Sequence, residues 1–143
     1  MDRTGIEEAA IAAVQTAFEE LCQTPVASGP PTIAPDEIVA TIVLKRTPPG
    51  SLCLVFPPAV LEALARRYLP DEPPSDELFR DAAGEFANVV AGQLKTCMKG
   101  TSYHFDLSTP RLGSSAAPFP IAIGFECDAG AFRLMVDLPE ASA

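Results

Sequence analysis

One long amphipathic helix constrains the fold of this chain more than any other feature. Residues Ser75 to Gly100 read SDELFRDAAGEFANVVAGQLKTCMKG. Ser75 is a preferred N-cap residue, and Asp76 and Glu77 favour the positive end of the helix dipole. Gly100 suits a left-handed stop at the other end. Both ends are therefore signalled, which predicts a helix across the whole stretch.

The predicted helix has two unlike sides. At about 100° per residue, one side collects an apolar stripe of Phe79, Ala83, Phe86, Val90, Leu94 and Cys97. Within roughly 80° on the opposite side lie Asp81, Glu85, Asn88, Gly92 and Lys95. We expect the apolar side to pack into a core and the polar side to be exposed.

The polar side contains an unusual residue for a helix interior. Asn88 is the only asparagine in the chain, and its side chain competes for backbone hydrogen bonds in mid-helix. Gly84 and Gly92 flank it, and each costs about 1 kcal/mol relative to alanine. These costs indicate a place where another surface comes close. Solvation alone would also explain the charged residues, because most polar helix faces simply meet water.

Three features of the sequence resemble one protein family. They are the pattern Asp81-x-x-x-Glu85-x-x-Asn88, the run GEFANVVAGQLK around it, and LSTPRLG about twenty residues later. Together they resemble the CheC/CheX family of chemotaxis phosphatases, which remove phosphate from the aspartate of a CheY-type response regulator. The resemblance runs from about Phe56 to Gly113. Arg111 departs from the family pattern, in which a small or apolar residue usually follows the proline.

The resemblance implies a role for each residue of the polar side. Asn88 would orient the attacking water, and Glu85 would pair with the active-site lysine of the regulator. The other partner-binding positions would be Asp81, Gly84, Gly92 and Lys95. The chain itself would bind no cofactor, because the phosphorylated regulator supplies the phosphoryl group and Mg²⁺.

Two other functions stay open. The chain could be a non-catalytic module that binds a phosphorylated response regulator, as flagellar-switch relatives of the fold do. Asp81 and Glu85 could instead hold a divalent metal in an independent hydrolase. The second alternative is weak, because two carboxylates without a further ligand cluster make a poor metal site.

The resemblance also implies the architecture. It predicts an α/β (α+β) fold in a single domain of residues 1–143, with two long helices on a mainly antiparallel sheet and pseudo-twofold internal doubling. It predicts a homodimer that pairs through its sheets, with strands 121–127 and 132–138 at an edge that needs covering. The nearest Glu-x-x-Asn match in the first helix is Glu20-Leu21-Cys22-Gln23, at its end. We therefore expect a single-site, CheX-like member.

Local signals predict the remaining elements. A capping box at Thr4-Gly5-Ile6-Glu7 predicts a first helix that ends before Thr24. Residues 25–35 are rich in proline and predict a surface connection. The later elements are a hairpin of 37–46 and 51–56, a helix of 59–68 opened by Pro58, a strand-like run at 101–108, a loop at 109–120, and a hairpin of 121–127 and 132–138.

Composition argues against several classes of function. The net charge of -9 comes from 10 basic and 19 acidic residues, so no nucleic-acid partner is expected. Glu7 and Glu8 stand where a secretory signal needs an apolar core, and no run of about 18 apolar residues occurs. We therefore expect a cytoplasmic protein without membrane contact.

The metal-binding residue types are scattered. The only histidine is His104, and the cysteines are Cys22, Cys53, Cys97 and Cys127, each standing alone in the sequence. This spacing predicts no zinc site. We expect the cysteines to be small buried side chains in a reducing compartment, and we predict no role for His104.

Overall fold

A computed structural model describes residues 2–113 and 119–139. The helices are α1 (Arg3–Cys22), α2 (Pro58–Tyr68) and α3 (Asp76–Met98). The strands are β1 (Ala27–Gly29), β2 (Ile38–Lys45), β3 (Gly50–Phe56), β4 (Asp106–Leu107), β5 (Arg111–Gly113), β6 (Ile121–Cys127) and β7 (Gly130–Asp137). No helix of this part of the chain is long and apolar enough to cross a membrane.

The sheet shows that the chain is doubled internally. Its strand order is β1-β6-β7-β3-β2-β4, with β5 also paired to β2, and every pair is antiparallel. Each half of the chain supplies a long helix, a short edge strand or pair of strands, and a hairpin. The edge strands of one half pair with the hairpin of the other half, so the order is the same from either end. This arrangement confirms the predicted fold class and its pseudo-twofold doubling.

The main core lies between the helices and one face of the sheet. Phe18 of α1 contacts Phe86 of α3 with ring centroids 5.2 Å apart, and it contacts Phe132 of β7 at 5.0 Å. These rings are fully or almost fully buried. Because α3 is anchored by such large side chains, its opposite face is held in a fixed position.

α3 forms nearly as predicted. Ser75 caps it, since the Ser75 Oγ accepts a hydrogen bond from the N–H of Leu78 at 3.0 Å. Gly100 follows the helix with a left-handed φ of 80°. The prediction for Cys97 was wrong: Cys97 is exposed and Met98 is fully buried instead.

The structure corrects several boundaries. α1 is capped by Asp2, whose Oδ1 accepts from the N–H of Gly5 at 2.9 Å, so Thr4 is not its cap. The proline-rich segment contains β1, and the predicted loop contains β5. Only residues 106–107 of the strand-like run are strand. Part of the predicted loop, residues 114–118, lies outside the described residues.

Both predicted hairpins form, but the second does not lie at an edge. β7 pairs with β3 on one side and β6 on the other, and β6 pairs with β1. The prediction that these strands expose an apolar edge was therefore wrong. The edges of the sheet are the short strands β1 and β4–β5.

The proline-rich segment crosses the outer face of the sheet, away from the helices. Gly124 permits this crossing, because a Cβ there would collide with the carbonyl group of Pro30. Arg133 of β7 holds this segment against the sheet by hydrogen bonds. Its guanidinium donates to Glu37 Oε1 at 3.1 Å and to the Thr32 carbonyl at 3.3 Å. Both side chains of the Arg133–Glu37 ion pair are nearly buried.

Candidate functional site

The exposed face of α3 carries the residues that the sequence indicates. Asp81 and Glu85 are exposed, whereas Asn88 and Gly92 are half-buried. Residues three apart on a helix are neighbours, with about 5–6 Å between their Cβ atoms, so Glu85 and Asn88 lie side by side. Within the described residues, neither side chain makes a hydrogen bond or an ion pair. Both polar groups are therefore available to another molecule.

Gly84 lies at the border of this face and is buried. A Cβ added to it would lie 3.3 Å from Cγ of Pro110 and 3.6 Å from Cδ2 of Leu112. The edge segment of the same chain therefore occupies the space beside Gly84. The expectation that this glycine contacts a partner loses its basis, because its lack of a side chain serves internal packing.

The Ser-x-Pro sequence bridges the two edge strands beside α3. Between the β4 and β5 pairings, Ser108 continues the contact with β2. Its N–H donates to the Val43 carbonyl at 3.1 Å, and its Oγ accepts from the Val43 N–H at 2.9 Å. Pro110 has no N–H to pair, and its ring packs against Gly84. The motif thus fixes the edge of the sheet against the helix, a role that the sequence analysis did not assign.

Arg111 lies on the side of β5 that faces away from α3. Its neighbour Leu112 contacts α3 at Gly84, and successive strand residues point to opposite faces. In the register of the sheet Arg111 pairs with Thr41, whose hydroxyl contacts Cys53 Sγ at 3.2 Å. The departure from the family pattern at Arg111 therefore leaves the exposed face of α3 unaltered.

The second half of the face is open at Gly92 and charged at Lys95. Apart from the helix backbone, no heavy atom lies within 4 Å of a Cβ added at Gly92. Lys95 Nζ forms an ion pair with Asp106 Oδ1 of β4 at 3.1 Å. Gly92 thus leaves the room that the sequence predicts, and its contact with a partner stays a prediction.

Tyr68, at the end of α2, borders Glu85. Its ring packs against Phe86, with centroids 5.5 Å apart. Burial raises the pKa of Tyr68, and the negative charge of Glu85 raises it further. Sequence spacing gave no sign of Tyr68, because only the packing of α2 on α3 brings the two residues together.

The helix of the first half lacks the same constellation. Aligning the helices by their buried positions matches Ala10, Ala13, Val14, Ala17 and Phe18 of α1 with Ala83, Phe86, Ala87, Val90 and Ala91 of α3. Ala12 then takes the place of Glu85, and Gln15 takes that of Asn88. The Gln15 amide is engaged, since its Nε2 donates to the Val26 carbonyl at 3.3 Å. The position that corresponds to Glu85 has no acid on this helix, which agrees with a single site on α3.

Metal-binding groups do not converge in the part of the chain that the structure describes. Across residues 2–113 and 119–139, no three His, Cys, Asp or Glu side chains are placed to hold one metal ion. Asp81 and Glu85 therefore have no third ligand of these types among the described residues.

Comparison with protein families identifies the chain. The family model described as "Chemotaxis phosphatase CheX" matches residues 38–117, which include all of α2 and α3 and the edge strands beside them. The chain belongs to the CheX family. The match covers both the Glu85/Asn88 face and the Ser-x-Pro edge, so the two parts of the site lie within the CheX segment. Comparison with curated proteins finds no match.

Solved CheX structures share the whole fold. CheX from Desulfovibrio desulfuricans is 20% identical with a TM-score of 0.80, covering 94% of this chain and 99% of that one. CheX from Vibrio vulnificus is 18% identical with a TM-score of 0.78, covering 92% and 94%. A CheX–CheY–BeF₃–Mg²⁺ complex from Borrelia burgdorferi matches at 15% identity and a TM-score of 0.68, covering 94% and 97%. At these identities the likeness shows a common fold.

Proposed function

We propose that this protein dephosphorylates the aspartyl phosphate of a CheY-type response regulator through the α3 face. Membership of a family described as chemotaxis phosphatases supports the reaction, and the similar fold of a CheX bound to CheY supports the partner. The observation that carries the proposal is the state of Glu85 and Asn88. They lie adjacent on a well-anchored helix, and no described residue engages either side chain.

The chemistry suits a carboxamide. Hydrolysis of an acyl phosphate needs a water in line with the phosphorus atom and compensation of charge on the equatorial oxygens. The Asn88 amide both donates and accepts hydrogen bonds, so it can hold a water in one orientation without a charge of its own. The negative phosphoryl group would repel a carboxylate at this position, which explains why an amide serves better there.

Glu85 serves to align the two proteins. It lies about one helical turn before Asn88, and its carboxylate is exposed. In the proposed complex it pairs with the active-site lysine of the regulator, and this contact sets the angle at which Asn88 enters. The Mg²⁺ and the phosphoryl group belong to the regulator. Asp81 extends the acidic edge, and Gly92 admits the surface of the regulator.

The test separates binding from catalysis. Loss of radiolabelled phosphate from a CheY-type regulator of the same organism is measured against increasing wild-type protein, Asn88→Ala and Glu85→Gln. Gln93→Ala is the matched control, because it removes an amide from the same helix away from the docking face. We expect Asn88→Ala to lower the maximal rate with little change in half-saturating concentration, and Glu85→Gln to raise that concentration. Gln93→Ala should behave as wild type.

The same assay identifies the non-catalytic alternative. If the wild-type protein binds the phosphorylated regulator without accelerating phosphate loss, the protein is a binding module and the phosphatase proposal fails. If Asn88→Ala keeps the full maximal rate, the protein is a phosphatase but Asn88 does not orient the water.

We also propose that the protein is a homodimer. All three residues of β1 are exposed, and among the described strands β1 pairs only with β6. Its outer backbone groups can therefore pair with the same strand of a second copy. Light scattering at micromolar concentration should give about twice the chain mass of 15.1 kDa. A mass of one chain would contradict the dimer.

A further inference from the structure

Tyr68 forms a wall beside Glu85. It is the last residue of α2, and its ring packs against Phe86 of α3 with the ring centroids 5.5 Å apart. Phe86 follows Glu85 in the sequence and lies about 100° further round the helix. Gly84, where the Pro110 ring packs, lies about 100° round the helix in the other direction. Tyr68 and the edge segment therefore flank the exposed face of α3 from opposite sides.

The hydroxyl of Tyr68 is free, although its ring is anchored. The residue is half-buried. Within residues 2–113 and 119–139, its oxygen takes part in no hydrogen bond. This oxygen is not sealed from water either, because the buried side-chain nitrogen or oxygen that lacks a partner in this part of the chain is Nε of Arg46. The anchored ring thus carries to the surface a polar group that the described fold does not use.

Glu85 is the acidic residue that influences the Tyr68 hydroxyl. Burial raises the pKa of Tyr68 most, the charge of Glu85 raises it further, and the buried Cys22 adds to the effect. Asp81, one turn before Glu85 on the same helix, is not one of the groups that shift this pKa. Because a raised pKa keeps the hydroxyl protonated at neutral pH, Tyr68 is available there as a neutral hydrogen-bond donor.

The end of α2 that carries Tyr68 is fixed to two other parts of the fold. Arg67 donates hydrogen bonds to Thr24 Oγ1 at 2.9 Å and to Asp128 Oδ1 at 2.6 Å. Thr24 follows α1, and Asp128 lies in the turn between β6 and β7. Phe86, on which the Tyr68 ring rests, is fully buried. Tyr68 therefore has the rigid support that a residue needs if it is to position another group.

Docking would create a need that this hydroxyl can meet. In the proposed complex the Glu85 carboxylate leaves water and pairs with the lysine of the regulator. The two oxygens of a carboxylate together accept about four hydrogen bonds, so one ammonium group leaves part of this capacity unused. An acceptor that loses water without gaining a partner weakens binding. A donor that is already in place replaces the lost water, and it also limits the rotation of the side chain before docking.

We propose that Tyr68 is a positioning residue of the docking site, whose hydroxyl donates a hydrogen bond to the Glu85 carboxylate when the regulator binds. This inference rests on the proposed function, because it takes Glu85 as the group that pairs with the regulator. Tyr68 holds one carboxylate oxygen, and the other faces the lysine. Tyr68 does not touch the phosphoryl group, so it influences binding of the regulator and not the hydrolysis step that Asn88 serves.

The test uses Tyr68→Phe, which removes the hydroxyl and keeps the ring on Phe86. Its Kd is measured for a CheY-type receiver of the same organism loaded with beryllofluoride and Mg²⁺, and the rate of phosphate loss is measured against protein concentration. We expect Kd and the half-saturating concentration to rise about threefold to tenfold, the effect of losing one hydrogen bond. The maximal rate should stay unchanged, because Asn88 is intact.

Two comparisons show whether Tyr68 acts through Glu85. In a Glu85→Ala background, Tyr68→Phe should have no further effect on Kd, because the carboxylate that it positions is absent. Tyr103→Phe is the matched control: it removes the other tyrosine hydroxyl of the chain, on a ring that packs at Arg46. It should bind the receiver like wild type. Urea unfolding of Tyr68→Phe should also match wild type, because the described fold does not use the hydroxyl.

The outcomes separate this inference from the proposed function. If Kd responds as stated but the wild-type protein does not hasten phosphate loss, the positioning role stands and the phosphatase proposal fails. If the wild-type protein hastens phosphate loss but Tyr68→Phe binds like wild type, the phosphatase proposal stands and the positioning role fails. Equal weakening by Tyr68→Phe with and without the Glu85 carboxylate would also overturn the inference, because the hydroxyl would then contact the regulator directly.

Discussion

The two glycines that flank Asn88 should respond differently to the same substitution. Gly92 has no heavy atom within 4 Å of an added Cβ, apart from the helix backbone, so alanine fits there without rearrangement. Alanine is more favourable than glycine in a helix interior by about 0.8–1.0 kcal/mol. Gly92→Ala should therefore raise the free energy of unfolding by nearly that amount. For a domain of this size the midpoint of thermal unfolding should rise by about 3–4 °C.

Gly84 should show no such gain. Its added Cβ would lie 3.3 Å from Cγ of Pro110, closer than most side-chain contacts, and 3.6 Å from Leu112, an ordinary van der Waals distance. The cost of moving the ring offsets the helix preference, so Gly84→Ala should leave stability unchanged or lower it. In a Pro110→Ala background the ring is gone, and Gly84→Ala should then recover most of the gain seen at Gly92.

Urea unfolding followed by circular dichroism, with all variants at one pH, measures these differences. An equal gain at both glycines would show that Pro110 does not pack tightly on α3, and our account of the Ser-x-Pro edge would be wrong. Destabilisation by Gly92→Ala would show that the face is not open at that point. The same variant also bears on function, because a more stable protein that docks less well would place Gly92 at the partner surface.

Two further predictions concern the outer face and the cysteines. Burial alone would raise the pKa of Glu37, but the hydrogen bonds from Arg133 and the neighbouring backbone outweigh it and lower that pKa. The stabilisation from the charged Glu37 is thus present above the ordinary pKa of about 4.3 and is lost as pH falls through the lower folded value. Glu37→Gln should lower the free energy of unfolding by about 3 kcal/mol at neutral pH. It should also make that free energy fall less steeply as the pH is lowered. A thiol reagent at pH 8 should label the exposed Cys97 first and the buried Cys22 and Cys53 slowly. Burial raises the pKa of Cys22 to about 12 and also raises the pKa of Cys53, so little reactive thiolate forms at either residue. Mass spectrometry follows the labelling, and fast labelling of all three cysteines would contradict the packing.

Sequence patterns predicted the parts of the fold whose signals are local. α3 has a cap, a stop and a clear helical period, and both hairpins have strands of β-branched and aliphatic residues joined by turn residues. The exposed face of Glu85 and Asn88 follows from the same period. These elements would be recognisable in isolation, because most of the information that defines them lies within each segment.

Sequence patterns did not predict the elements that depend on distant partners. β1 has only small residues, all exposed, and it becomes a strand because β6 supplies its hydrogen bonds. β5 and the packing of Pro110 on Gly84 likewise arise only when the edge of the sheet meets α3. Cys97 follows the helical period but lies in the last turn, where Met98 enters the core in its place.

The site was predictable in its residue types but not in its surroundings. Asn88 and Glu85 are evident from the period and from the resemblance. Tyr68 and Ser108 are not, because α2, the edge strands and α3 converge only in three dimensions. The resemblance also placed Gly84 at the partner surface, whereas the fold uses that glycine internally.

The most direct test of the account is the rate of phosphate loss from a phosphorylated CheY-type regulator at saturating protein, compared between wild type and Asn88→Ala. We predict that the wild-type protein accelerates the loss and that Asn88→Ala reduces this rate by tenfold to a thousandfold, about 1.4–4 kcal/mol of barrier, while binding remains. An Asn88→Ala protein that hydrolyses the phosphate as fast as wild type would contradict the central claim.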